Sequence, residues 1–151
     1  MDLNNLKKNL KKVTPLPRME LDIFLALKKL LPMQAIELFV TNPDGQFILV
    51  KRNEKLKDLA LPGGYLGLNE DFDTACQRIA KKHLGVKVVN IELISVFNLK
   101  ESIHGKNNGH AVVLVFKCQL NKPAKNIEYF GKLPNNVLSH HKLMVKKILN
   151  G

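Results

Sequence analysis

The feature that most constrains the fold of this chain is the segment from Leu61 to Gly85. It opens with Leu61-Pro62-Gly63-Gly64, where two adjacent glycines permit backbone conformations and close approaches that a Cβ atom would hinder. A stripe with helical spacing follows, made of Phe72, Ala75, Cys76, Ile79, Ala80 and His83. Gly85 is well placed to end that helix. The segment therefore predicts a glycine loop that leads into a helix over residues 70–84.

The rest of the chain predicts strands and helices around this segment. Apolar runs over residues 34–40 and 46–51 flank the turn residues Asn42-Pro43-Asp44-Gly45, which favours a hairpin. Residues 86–96 and 110–120 are rich in β-branched side chains, as strands are. Helices are predicted over residues 18–31, before Pro32, and over residues 136–150. An α+β sandwich fits this order of elements.

The first 17 residues are predicted to be a basic helix and a linker. Leu3, Leu6 and Leu10 recur at helical spacing with lysines between them, which predicts a short amphipathic helix. Such a helix docks on its own domain or on a second subunit, or else serves as a membrane or partner element. Thr14-Pro15-Leu16-Pro17 breaks it. We therefore divide the chain into residues 1–17 and a single domain of residues 18–151.

The charge of the chain favours anionic partners. Lys and Arg number 24 against 13 Asp and Glu, which gives a formal net charge of +11. The lysines are scattered, so a solubilising surface explains them equally well, and nucleic-acid binding has only this charge and the N-terminal lysines in its support. The two cysteines lack zinc-binding spacings, and no apolar stretch is long enough to span a bilayer. We expect reduced thiols and a cytoplasmic protein.

Four residues of the glycine loop and helix stand at the intervals of the Nudix box. Its glutamate lies six residues after the first glycine, its arginine eight residues later and its last glycine seven residues after that, at Gly64, Glu70, Arg78 and Gly85. The preceding Gly63 and the hairpin that ends in Lys51-Arg52 agree with the family pattern. The chain thus resembles the Nudix hydrolase superfamily. This resemblance implies an α/β/α sandwich with a central mixed sheet.

Three positions depart from the box of that family. Where the family has glutamates, this chain has Ile79, Lys82 and His83. Three carboxylates at that spacing share a helical face and bind magnesium through oxygen, which isoleucine, lysine and histidine cannot do. The usual magnesium site is therefore not expected. A divalent metal, magnesium or manganese, would need other ligands, and His83 is the candidate, with a packed helix histidine as its alternative.

Within the superfamily, the chain is most similar to the GDP-mannose mannosyl hydrolases, which tolerate an altered box. The likeness extends over Ile36-Glu37-Leu38, over residues 45–52 and over His110-Ala111-Val112-Val113-Leu114. Those enzymes release mannose by attack of water at the sugar carbon, with a histidine base, an arginine near the departing diphosphate and one metal. The resemblance implies that His110 is the catalytic base. It also implies that Arg52, Glu37 and Gly64 bind substrate.

Each assignment has a structural alternative. In the structural alternative, His110 is a strand-end histidine that is hydrogen-bonded to the adjacent loop. Arg52 is then an exposed cation, and Glu37 is a solvent-facing strand residue. The leading functional prediction is hydrolysis of a nucleoside diphosphate derivative, with a nucleotide sugar as the first candidate. A catalytically silent Nudix domain that binds a nucleotide or a protein is the alternative. The resemblance also admits a homodimer, for which the N-terminal helices would provide a surface.

Overall fold

A computed structural model describes residues 2–51, 58–104 and 109–151. The helices are α1 (Leu3–Leu10), α2 (Leu21–Leu27), α3 (Phe72–Leu84), α4 (Glu101–His104) and α5 (Ser139–Leu149). The strands are β1 (Met33–Val40), β2 (Phe47–Ile48), β3 (Val50–Lys51), β4 (Leu59–Ala60), β5 (Gly63–Tyr65), β6 (Val88–Leu99), β7 (Ala111–Leu120) and β8 (Tyr129–Phe130).

A four-stranded sheet in the order β5-β1-β7-β6 forms the centre of the fold. The two inner strands, β1 and β7, run parallel, whereas each outer strand is antiparallel to its neighbour. Because successive side chains of a strand point to opposite faces, both faces of this sheet carry apolar residues. The helix α3 packs against one face and α5 against the other. The predicted α/β/α sandwich with a central mixed sheet is confirmed.

Helix α3 begins and ends on the residues that favour helix ends. The side chain of Asp71 accepts a hydrogen bond of 2.7 Å from the backbone N–H of Thr74, which caps the first turn. Gly85 ends the helix in the left-handed conformation, with φ at 71°. Most of the predicted stripe is buried, but Phe72 stays 44% exposed at the first turn. Residues 70–84 were thus predicted as helical with an error of two residues at the start.

The predicted hairpin forms its turn but only one bridge of its ladder. The side-chain oxygen of Asn42 accepts a hydrogen bond from the backbone N–H of Gln46, and a single antiparallel bridge joins Thr41 to Phe47. Strand β2 then pairs with β8, a partner that the sequence did not predict. Phe47 is buried in the core beneath α5 and Ile48 in the core beneath α3.

The N-terminal helix is not buried against the described part of the domain. No residue of α1 is buried, and Leu3, Leu6 and Leu10 are all exposed. The linker after it does make contact, because the carbonyl oxygen of Leu16 accepts a 3.1 Å hydrogen bond from the backbone N–H of Leu68. The division after residue 17 stays a prediction. None of the helices among the described residues has the length and apolar character needed to cross a membrane.

Candidate functional site

The loop between β5 and α3 is held by a charged pair. The Nε and Nη2 atoms of Arg78 donate hydrogen bonds of 2.6 and 2.7 Å to the two carboxylate oxygens of Glu70. Nη2 also donates to the carbonyl oxygen of Tyr65, and the backbone N–H of Gly67 donates to Glu70. The hydrogen bonds from Arg78 are the main cause that lowers the pKa of the Glu70 carboxyl below its ordinary value, against the effect of burial. The pair therefore fixes the loop to α3 as an ionised unit.

The helical face beside this loop lacks the ligands that magnesium requires. Ile79 is 1% exposed and belongs to the core beneath α3, while Lys82 brings an ammonium group to the surface. Magnesium prefers oxygen ligands in an octahedral arrangement. Across the described ranges, no group of three or more His, Cys, Asp or Glu side chains is arranged to hold a metal ion. The box residues of this chain do not fit magnesium.

His83, the candidate metal ligand, contacts the glycine loop instead. Its Nε2 atom lies 3.0 Å from the carbonyl oxygen of Gly63. Because a carbonyl oxygen can only accept, Nε2 carries the proton in this contact and donates it. A protonated ring nitrogen cannot bind a metal, so Nε2 is not a ligand while this contact holds. The metal role of His83 stays a prediction.

A cleft of about 280 Å³ opens between this face and the N-terminal linker. Within the described residues its lining includes three basic side chains and no acidic one. Gly64 lies at its inner wall, where a Cβ atom would meet Ile79 at 3.5 Å, an ordinary van der Waals contact. Packing therefore does not demand glycine at position 64. The lining residues are Leu16, Pro17, Gly63, Gly64, Tyr65, Arg78, Lys82 and His83.

A second, smaller cavity lies on the opposite face of the sheet, beneath α5. It measures about 40 Å³ and brings Glu37 together with His104 and His140. Glu37 is 4% exposed, so its predicted alternative as a solvent-facing residue is wrong. The rings of His104 and His140 stand edge to face, with their centroids 4.7 Å apart. We call this cavity the Glu37 pocket.

The histidines of the Glu37 pocket were not among the predicted site residues. His140 and His141 are adjacent on α5, and both are buried, with ring centroids 4.5 Å apart. The Nδ1 atom of His141 accepts a hydrogen bond of 3.2 Å from the backbone N–H of Leu61. It thereby connects α5 to the start of the glycine loop. The sequence does place two polar residues among the apolar positions of the closing helix. Because buried polar groups need partners, this pattern was the available signal that the two histidines take part in a site.

The structure separates His110 from Glu37. The Nε2 atom of His110 lies 2.6 Å from the side-chain oxygen of Asn98 on β6. By strand alternation His110 shares the face of Leu114, which packs on the core beneath α3, whereas Glu37 shares the face of Phe39 beneath α5. Arg52 lies outside the described residues. The catalytic role of His110 and the substrate contact of Arg52 stay predictions.

The protein combines an α/β/α sandwich with a glycine loop that a Glu–Arg pair fixes to a helix. Comparison of the sequence with known protein families identifies the class of protein that has these features. Residues 31–136 match the family model of the NUDIX domain. The chain therefore belongs to the NUDIX domain family. A comparison of the sequence with curated proteins gives no match.

Solved structures of NUDIX proteins share the fold. A UDP-X diphosphatase is 17% identical, with a TM-score of 0.66 over 97% of this chain and 76% of that one. A MutT NUDIX hydrolase from Burkholderia pseudomallei is 19% identical, with a TM-score of 0.62 over 78% of this chain and 98% of that one. A bifunctional NMN adenylyltransferase/ADP ribose pyrophosphatase from Francisella tularensis, complexed with AMP and a manganese ion, is 16% identical, with a TM-score of 0.60 over 85% and 46%. At these identities the likeness shows the fold alone.

Proposed function

We propose that this NUDIX domain hydrolyses a nucleoside diphosphate derivative, and that its substrate class is the nucleotide sugars. The observation that supports the proposal is the Glu37 pocket, where a buried carboxylate and two histidines surround a space of about 40 Å³. Gly64 and Tyr65 line both this pocket and the basic cleft on the other side of β5. Groups suited to proton transfer and groups suited to phosphate thus lie on the two sides of one edge strand.

We propose attack at a sugar carbon rather than at phosphorus, as the resemblance to the mannosyl hydrolases implies. Displacement at the sugar carbon requires a base that takes a proton from water and groups that stabilise the departing diphosphate. The oxygen of water bonds to the carbon, the carbon–oxygen bond to the diphosphate breaks, and the proton passes to the base. The products are a free sugar and a nucleoside diphosphate.

Glu37 is the base that the geometry favours. A space of about 40 Å³ is large enough for a water molecule and too small for a nucleotide. In the same pocket, the Nδ1 atom of His104 lies 3.0 Å from the carbonyl oxygen of Gly109, and because a carbonyl oxygen only accepts, Nδ1 carries a proton in this contact. A water molecule in this space would lie beside both Glu37 and His104. His110 is the base that the family resemblance implies, and its alanine variant is therefore included in the test of Glu37.

The test is release of free sugar and of nucleoside diphosphate from a panel of GDP- and UDP-sugars, with magnesium, manganese or a chelator present. We expect Glu37→Gln to lower kcat at least about 100-fold, since a positioned general base contributes about 10²–10⁴. Glu92→Gln, an exposed acid-to-amide change on β6, is the matched control and keeps the rate. Loss of turnover in His110→Ala, with Glu37→Gln fully active, would overturn the assignment of the base to Glu37.

A silent nucleotide-binding domain is the second candidate. The observation that favours it is the altered box face, where Ile79 is buried in the core and His83 contacts the Gly63 carbonyl. Folded protein that shows no turnover across the panel, yet is thermally stabilised by nucleotides, would establish this candidate and refute hydrolysis.

A further inference from the structure

We propose that the cleft beside the glycine loop binds the diphosphate of a nucleotide through side-chain cations, with no divalent metal between them. This basic cleft is the space lined by Gly63, Gly64, Arg78, Lys82 and His83, with Leu16 and Pro17 as its outer wall. The inference rests on the proposed function, because it concerns the phosphate portion of the same substrate. It follows from three features of the cleft, namely its charge, its carbonyl group and its wall.

The charged side chains that line the basic cleft are positive, whereas a site for a metal cation needs negatively charged ligands. No acidic side chain lines it within the described residues. The carboxylate of Glu70 is occupied by Arg78 and by the backbone N–H of Gly67. Lys82 makes no ion pair in the parts of the chain that the structure describes, so its ammonium charge is not neutralised there. Lys82 is therefore the main source of positive charge for an anion in the cleft.

The backbone carbonyl group of the cleft is also less able to bind a cation. A main-chain carbonyl oxygen is a good ligand for a hard divalent ion. In this chain the carbonyl oxygen of Gly63 accepts a hydrogen bond from His83, at 3.0 Å. This hydrogen bond uses one of the two lone pairs of the oxygen, and it weakens both the repulsion of a phosphate and the attraction of a cation. Both substitutions, at positions 82 and 83, thus change the cleft in the direction that an anion requires.

The linker forms one wall of the basic cleft and limits its volume. The backbone N–H of Leu68 donates to the carbonyl oxygen of Leu16 at 3.1 Å, which holds the linker over the loop. The resulting volume of about 280 Å³ is near the lower end of ligand pockets, which begin at about 300 Å³. That volume suits a diphosphate rather than a whole nucleotide. A partly enclosed site also strengthens charge pairing relative to open water.

Isothermal titration calorimetry with GDP and with inorganic pyrophosphate, both in the presence of EDTA, tests the proposal. We expect both ligands to bind without metal, and added magnesium not to tighten binding. Lys82→Ala should weaken the affinity about tenfold, while Lys82→Arg keeps it, because a guanidinium also pairs with phosphate. Lys81→Ala is the matched control, since Lys81 is equally exposed in the last turn of α3 but does not line the cleft.

Two results would overturn this inference. One is that EDTA abolishes binding and magnesium restores it. The other is that the alanine variants at positions 81 and 82 lose affinity equally, which would indicate an effect of net charge alone. The same experiments distinguish failure of this inference from failure of the proposed function. Metal-free binding that depends on Lys82, without any turnover, supports diphosphate binding in the cleft and refutes hydrolysis. Turnover together with diphosphate binding that EDTA abolishes refutes the cleft and leaves hydrolysis standing.

Discussion

Glu70→Gln removes the charge that fixes the glycine loop to α3. Three hydrogen bonds of 2.6 to 2.8 Å end on this carboxylate, two from Arg78 and one from the backbone of Gly67. Breaking a buried charged pair costs about 3–5 kcal/mol, and a hydrogen bond to a charged group contributes about 1.5–3 kcal/mol. The Arg78 side chain is 29% exposed and retains the Tyr65 carbonyl as an acceptor. Because water can replace part of the loss, we expect about 2 kcal/mol of destabilisation.

Urea denaturation at pH 7, followed by circular dichroism, measures this loss of stability. In a thermal scan, 2 kcal/mol corresponds to a fall in Tm of about 4–8 °C for a domain of this size. Glu128→Gln is the control, because it makes the same chemical change at an exposed residue. If the two variants unfold at the same urea concentration, the Glu70–Arg78 pair does not stabilise the loop.

The pH dependence gives an independent check on the same pair. The folded-state pKa of Glu70 lies below the ordinary value of 4.5, chiefly because Arg78 donates hydrogen bonds to it. The unfolded chain therefore binds more protons between the two pKa values, and stability rises with pH in that window. The contribution is fully present above pH 4.5 and is lost as the pH falls through the folded-state value. The stability difference between wild type and Glu70→Gln should shrink over that acidic window.

Two further predictions concern the thiols and the loop. Burial raises the pKa of Cys76 and of Cys118 to about 12, so neither thiol should react with Ellman's reagent in the native protein, and both should react in urea. Rapid reaction of the folded protein would show that the core opens. A Cβ atom on Gly67 would lie 3.1 Å from the Leu16 carbonyl oxygen, so Gly67→Ala should lower stability by about 1–3 kcal/mol and expose the linker to protease. Gly131→Ala, where the nearest atom is 3.7 Å away, should have neither effect.

Local chemistry was sufficient to predict helix α3 and the glycine loop. The cap at Asp71 and the left-handed end at Gly85 depend on neighbouring residues alone. The contact between the loop and the linker could not be predicted in this way. It joins Leu16 to Leu68, which lie far apart in the chain, through backbone groups that have no sequence signature.

The histidines of the Glu37 pocket depend on tertiary packing. His104 lies on the short helix α4 and His140 on α5, and the edge-to-face contact of their rings needs both helices in place. In the sequence, His140 and His141 are two polar residues in an amphipathic helix, a pattern that a solvated face also explains. Only the packing of α5 on the sheet distinguishes the two explanations.

The separation of Glu37 from His110 depends on the register of two parallel strands. Period-two alternation predicts which residues of one strand share a face, but it does not relate the faces of two strands. In the structure Glu37 is level with Val115, whose side chain faces the core beneath α5. A shift of one residue would place Glu37 level with Leu114 and on the same face as His110. The register therefore determines which acid and which histidine share a site, and here it places Glu37 with His104 and His140.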